Sequence, residues 1–379
     1  MVLFGTFDAV RGATLPAIRA EFGVLYNLFG LSFSVATVGF MMTIYASGRL
    51  AAVRGLKPVL VTGLSLVALA QFGSMLIAGF VSFSLIVLLM QTGGGFLEMG
   101  LNGIGGRLFI RRPAVGMSLL HLFFGVGSTI AGAFAGRMAM TGFGWRAAFV
   151  APVALTLPLL ALFAFVSFPD QNSGSPDGHI VHHQRDERLR VALRQPQVRM
   201  LAILLGVGIL LEIGIGNWLV NYLVVVRHYS EAQAGLYLSL FFGLFTAGRL
   251  FCPYVAEYFG YIRTIGWFGV GALVCLISGF LVPDYPALFS LAGLFVSILY
   301  PTVMGELMKT YGDRATRLMG PMLVAAITLA TAGNWLIAGL HDLAGVQAGF
   351  MSVSLVALAL TLSARRALSR YSFSSNSTS

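Results

Sequence analysis

Apolar residues fill this chain in runs of about twenty, separated by short gaps rich in glycine, proline or charge. A helix rises about 1.5 Å per residue, so each run is long enough to cross the ~30 Å hydrocarbon core of a bilayer. Read with its turn and charge punctuation, the pattern predicts helices over 1–17, 26–48, 58–79, 83–107, 113–139, 145–168, 198–225, 231–250, 262–282, 286–308, 317–339 and 343–364. One long polar segment, 169–197, interrupts the series between the sixth and seventh helices. Its Pro/Gly/Ser-rich start and basic end read as a flexible linker with a surface-lying basic stretch. The expected fold class is therefore an all-α membrane protein. Its twelve transmembrane helices form two six-helix pseudo-repeats, 1–168 and 198–364, with a cytoplasmic linker between them and a cytoplasmic tail over 365–379.

Composition removes the soluble alternative. The chain is 57% hydrophobic and only 10% charged over 379 residues, with a mean hydropathy of +0.85, whereas soluble domains carry about a quarter charged residues. The net charge of +10 does not indicate a nucleic-acid partner, because membrane proteins concentrate Lys and Arg on cytoplasmic loops. With the N-terminus in the cytoplasm, that side collects Arg49, Arg54, Lys57, Arg107, Arg111, Arg112, the linker arginines, Lys309, Arg314, Arg317, Arg365 and Arg366. The opposite side has only Arg19, Arg137, Arg146 and Arg227. Both termini are thus expected in the cytoplasm, with the chain in a cell membrane of the bacterial inner-membrane type and acting as a monomer. Cys252 and Cys275 make no metal-ligand spacing, and His179, His182 and His183 read as solvated linker residues. No metal or cofactor is expected beyond a coupling ion, H+.

Six helices, a linker and six more helices suggest duplication. Gly48-Arg49-Leu50 ends helix 2 and Gly248-Arg249-Leu250 ends helix 8, an offset of 200 residues, and each is followed by a basic loop. Gly132 and Gly136 in helix 5 have near-counterparts in Gly333 and Gly339 of helix 11. Parallel repeats of this kind are a transporter architecture. GRLAAVRGLK, Gly48 to Lys57, resembles the signature between helices 2 and 3 of the major facilitator superfamily, with Ala52 where an aspartate is usual. GGGFLEMGLN (Gly93 to Asn102), LLHLFFGVG (Leu119 to Gly127) and SILYPT (Ser297 to Thr302) resemble the fucose–galactose–glucose permease group, and GNWLVNYL (Gly216 to Leu223) is compatible with that group's helix 7. The resemblance implies sugar:proton symport, with Glu98 as proton carrier and Gly48, Arg49, Arg54 and Gly55 in a cytoplasmic gate.

Ionisable residues inside a span are costly and are functional candidates by default. Asp8, Glu98, Glu212 and Glu306 qualify. Gln91, Gly95, Glu98 and Asn102 recur every three or four residues and so form one polar stripe on helix 4. Burial there would favour the neutral acid and suit Glu98 to proton exchange. His121 lies at a similar depth on helix 5, about 12–14 Å from the cytoplasmic edge, so a Glu98–His121 relay and a plain packing histidine both fit. Asp8 and Arg11 are three apart on helix 1, either as a substrate clamp or gating pair or as mutual neutralisation. On helix 7, Asn217, Trp218, Asn221 and Tyr222 share one arc of amides and aromatic faces suited to a polyhydroxylated ligand; the competing reading of Trp218 and Tyr222 is an interfacial aromatic belt. Glu212 points away from that arc. Tyr300-Pro301 marks a kink in helix 10, and Glu306 beside Lys309 reads as a gate or surface ion pair. Asn334 is a weaker candidate.

The function expected is secondary active transport of a small polar solute, a sugar above all, by proton-coupled symport with alternating access. The coupling set is Glu98, His121 and Asp8; the solute set adds Arg11, Gln91, Asn102, Tyr300 and the helix 7 arc. The alternatives are a proton-coupled exporter of drugs or metabolites, or an organic-anion transporter. Against export, the glycine run of helix 5 lacks the proline usual in drug antiporters. No nucleophile, nucleotide or metal motif points to an enzyme.

Overall fold

The computed structural model describes the backbone of residues 1–108, 113–166 and 189–375. The linker histidines, Arg111 and Arg112 lie outside the described residues, as do the side chains of Arg107 and Cys252. Among the described residues every regular element is helical. They run α1 (Val2–Phe22), α2 (Tyr26–Arg54), α3 (Leu56–Gly73), α4 (Phe80–Leu108), α5 (Pro113–Ala139), α6 (Arg146–Val150) and α7 (Val153–Phe165). After the linker come α8 (Leu189–Arg194), α9 (Pro196–Val225), α10 (Glu231–Phe259), α11 (Tyr261–Leu281), α12 (Ala287–Val296), α13 (Leu299–Tyr311) and α14 (Ala315–Ser375).

Ten of these stretches are long and apolar enough to cross a membrane. α1 is not among them, because Asp8, Arg11, Arg19 and Glu21 lower its hydropathy. The apolar part of α14, Arg317–Ser369, would be about 80 Å long if straight, more than twice the hydrocarbon thickness. It is broken at Gly345 (φ 86°, ψ 165°), which makes it long enough to cross twice.

Proline sets the other breaks. Pro152 separates α6 from α7. Pro301 has no N–H for the carbonyl of Ser297, and its ring crowds that carbonyl, so the kink expected in helix 10 falls at Ser297 and Ile298, between α12 and α13. Left-handed backbone recurs along the chain. Gly23 (φ 62°) and His228 (φ 57°) lie 205 residues apart, as do Gly55 (φ 85°) and Gly260 (φ 89°), while Gly144 (φ 67°) and Gly345 lie 201 apart. All except the glycine–histidine pair match glycine with glycine, the residue that takes this conformation at least cost.

The helices group into two compact units. The described residues of 1–178 join Leu223–Ser239 in the first; the described residues of 179–222 join Leu240–Ser379 in the second. In the first unit α1 packs on α5, α2 on α4, and α3 on α4 and α7. The α1–α5 contact is backbone against backbone: a Cβ on Gly5 would lie 1.9 Å from the Phe124 carbonyl oxygen, and one on Gly127 would lie 2.0 Å from that of Val2. Ser128 Oγ donates to the Gly5 carbonyl across this seam (3.0 Å). Gly132 of α5 also meets Gly235 of α10, where a Cβ on Gly235 would lie 2.4 Å from the Gly132 carbonyl oxygen, and the Ala133 N–H donates to Ser239 Oγ (2.7 Å). Small residues supply this close approach where the hydrophobic effect does not drive helices together.

Beyond the expected first span, the end of α1 is riveted to the start of α6. Glu21 accepts from Trp145 Nε1 (2.7 Å) and from both terminal nitrogens of Arg146 (2.8 and 2.6 Å). Arg146 also donates to the Ile77 carbonyl. An edge-on cluster of Phe22, Phe83, Trp145 and Phe149 lies beneath. In the second unit α11 packs on α14 and α12, and Tyr222, Phe280, Phe289 and Phe350 form the aromatic core.

Gly5→Leu is expected to force α1 off α5. Overpacking of this kind costs about 1–3 kcal/mol, to be read as a lower unfolding midpoint of the detergent-solubilised protein, whereas the same change at Gly142, whose Cβ would meet nothing, leaves it unmoved. The hydrogen bonds from Arg146, foremost, and from Trp145 hold the Glu21 carboxyl below its ordinary 4.5. A depressed carboxylate stabilises the fold above that ordinary value and loses its contribution as pH falls through the folded value. The Glu21 side chain is 40% exposed, so after solvent screening the term is about 0.5–1 kcal/mol. Glu21→Gln should remove that part of the acid dependence of the unfolding midpoint.

Candidate functional site

In the first unit α1 carries Asp8 and Arg11 one turn apart, and the guanidinium donates to Asp8 Oδ1. Arg11 is only 8% exposed, lies 5.2 Å from the centroid of the Phe33 ring of α2, and has a buried Nε–H with no partner among the described residues. A narrow recess lined by Phe7, Arg11, Val87, Met90 and Gln91 brings Arg11 together with Gln91 of α4. Two members of the expected solute set thus meet, although they lie on different helices.

About two to three turns further along α4, Asn102 Nδ2 donates to Glu98 Oε1 (3.0 Å). The four-residue spacing that made the stripe visible is what permits this bond. The stripe has two kinds of surroundings. Gly95 is pressed on α2, where a Cβ would lie 2.8 Å from the Phe40 carbonyl oxygen; Gly94, one turn before Glu98, faces the Phe4 ring of α1. Asn102 Oδ1 is buried without a hydrogen-bond partner. His121 sits half-buried on α5, three residues before Phe124 at the α1 seam.

The helix 7 arc is fully inside the second unit. Trp218, Asn221 and Tyr222 are 0% exposed, and Asn217 is nearly so. Asn334 of α14 accepts from Trp218 Nε1 (3.0 Å) and from Asn217 Nδ2 (3.4 Å). The Trp218 ring stacks on His341 (centroids 4.3 Å apart, 29°), and Tyr222 stacks on Phe350 (4.8 Å, 25°). In this conformation Trp218 and Tyr222 are packing partners of α14. His341 went unnoticed in the sequence. Its signal was present, since Asn334 and His341 are seven apart and therefore share a helix face.

The remaining candidates are at the helix ends. Tyr300, 39% exposed, follows the break before α13. Arg49 is exposed, donates to Tyr45 Oη (2.7 Å) and lies over that ring (4.6 Å). Gly48 approaches Met99 of α4. Arg54 closes the last turn of α2, and Gly55 makes the left-handed turn into α3. Glu306 accepts from Thr310 Oγ1 (3.4 Å), one turn from Lys309, which lies over Tyr261 (5.8 Å).

A family model described as Major Facilitator Superfamily matches residues 1–320. Among solved structures, the chain is similar to a D-xylose–proton symporter, with 16% identity, a TM-score of 0.75 and coverage of 96% of this chain and 93% of that one. It is similar to the E. coli fucose:proton symporter, with 19% identity, a TM-score of 0.60 and coverage of 96% and 95%. It is also similar to the nucleoside transporter NupG, with 11% identity, a TM-score of 0.77 and coverage of 96% and 97%. No curated protein matches the chain in sequence.

Asn334→Leu should remove the carbonyl that accepts from the buried Trp218 N–H. The expected cost is about 1–3 kcal/mol, seen as a lower unfolding midpoint together with a shifted tryptophan emission that a Trp218→Phe background abolishes.

Proposed function

The chain belongs to the Major Facilitator Superfamily, and on that premise we propose that it imports a small neutral polyhydroxylated solute, a sugar first of all, together with protons by alternating access. It is a multi-pass membrane transporter and not an enzyme. We further read its helices as twelve crossings in two six-helix halves. The doubled length of α14 and the recurrence of left-handed residues at 201–205 positions support this. The bacterial inner membrane, cytoplasmic termini and a monomer belong to the same proposal.

Glu98 carries the reading. It is an acid within a span whose side chain accepts a hydrogen bond from an amide, Asn102. An ionised carboxylate so placed resists movement through hydrocarbon, and its protonation removes the charge. The solute preference rests on the Asp8–Arg11 pair, which carries no net charge, beside Gln91, whose amide both donates and accepts. A sugar and the ribose of a nucleoside present the same hydroxyl chemistry, so the similar structures support the solute class more than one member of it. An organic anion would be poorly served by an arginine already bound to Asp8.

Proteoliposomes carrying Glu98→Gln should lose proton-driven accumulation of the sugar that the wild type takes up, while retaining its exchange across the bilayer. Accumulation that persists would remove Glu98 from the coupling role. A first screen of wild-type uptake with L-fucose, D-xylose, uridine and an organic acid selects the solute, and uptake of the acid alone would overturn the neutral-solute reading.

A further inference from the structure

Arg249 entered the sequence analysis only as part of the repeated tripeptide that ends helix 8, and Glu212 as an acid off the helix 7 arc. Within the second unit the two belong together. α9 is unbroken at Gly214 and Gly216, so Glu212 keeps its direction away from Trp218. The residues one turn to either side of it fix that direction. Gly208 faces Leu299 of α13, and Gly216 faces Phe242 of α10. Glu212, on the same stripe, therefore faces the groove between α10 and α13.

Arg249 enters that groove from α10. The preceding residue, Gly248, is pressed on the helix break, where a Cβ would lie 2.2 Å from Ser297 Oγ. The guanidinium lies 4.3 Å from the centroid of the Phe245 ring and within electrostatic range of Glu212 and Tyr300. Its Nε–H is buried and has no hydrogen-bond partner among the described residues. Tyr300, at the break itself, is 39% exposed, which leaves this end of the cluster accessible.

The same parts occur in the first unit. Asp8 and Glu212 precede the left-handed residues Gly23 and His228 by about 22–24 Å of helix. Each acid is matched to an arginine, each arginine lies over a phenylalanine ring, Phe33 or Phe245, and each has a buried, unpartnered Nε–H. A partly buried charged pair of this kind contributes little stability over well-packed apolar residues. An unmet donor on it adds cost unless another molecule supplies the acceptor.

We propose that Glu212, Arg249 and the Tyr300 hydroxyl form a second solute-binding site, in the C-terminal unit, for adjacent hydroxyl groups of a neutral polyol. The carboxylate accepts from the hydroxyls, and the Arg249 Nε–H and the phenol donate to their oxygens. The pair remains neutral throughout, so binding there needs no counter-ion. This assignment rests on the sugar-transport reading above.

The test is uptake of D-xylose or L-fucose, whichever the wild type carries, into proteoliposomes. Arg249→Lys keeps the cation and removes the Nε–H and the planar fork; it should raise KM about tenfold, the loss of one charge-assisted hydrogen bond, with the unfolding midpoint and maximal rate kept. Tyr300→Phe, which keeps the ring, should raise KM about threefold and serves as the second readout if the lysine variant fails to fold. A KM unchanged in the folded variants overturns the site and leaves a structural ion pair. Uptake by the wild type of neither sugar nor uridine overturns the sugar-transport reading itself, a failure distinguishable from the first.

Discussion

Hydrocarbon offers no water to an ionised side chain, so every charge this chain carries into the membrane has to be met by another part of the chain. That requirement organises the interior. Arg11 is met by Asp8 and a phenyl ring, and Arg249 lies in the field of Glu212 above another. Such pairs tolerate the removal of both partners far better than the loss of one, because a lone partner is an uncompensated buried charge. Asp8 and Arg11 share α1, whereas Glu212 and Arg249 lie on α9 and α10, so only the second pair links two helices. Backbone seams at Gly5, Gly127, Gly132 and Gly235 bring helices of the first unit into close contact without any charge. At the edge of the span, where water is available, the Glu21–Arg146 pair satisfies the same groups with explicit hydrogen bonds and needs no pocket.

Much of the helical framework was legible in the runs of apolar residues, and the limits of that reading have physical causes. Hydropathy senses where hydrocarbon ends and not where the hydrogen-bond ladder ends. α2 accordingly continues to Arg54 and α10 to Phe259, past the expected 48 and 250, because a helix entering water loses nothing by adding a turn. Prolines 152 and 301 announced breaks that the apolar pattern ran through. α1 is the reverse case: Asp8 and Arg11 pair with one another, which a residue count registers only as polarity.

The candidate site was legible where its chemistry lies on one helix. Glu98 and Asn102, four apart, bond as their spacing requires. The helix 7 arc was visible as a face, but a helix does not encode what lies opposite. Asn334 and His341 of α14 occupy that place, more than a hundred residues away. Arg249 and Glu212 are 37 residues apart on separate helices, and no spacing rule connects them. Their association follows from Gly208, Gly216 and Gly248, which aim both side chains into one groove, and that information exists only after the helices have packed.

The two units differ in what a proton does to them. A polyol that binds either acid–arginine pair leaves its net charge at zero, so solute binding alone does not alter the electrostatic cost of moving the unit relative to the bilayer. Glu98 has an amide in place of an arginine, and its protonation changes the charge of the core by one full unit. In a low-dielectric interior that difference far exceeds any single hydrogen bond to a hydroxyl. On the proposed reading, coupling falls to the acid bonded to an amide, and recognition to the acids set beside an arginine. The division follows from the partners the fold gives each carboxylate and does not depend on which sugar is carried.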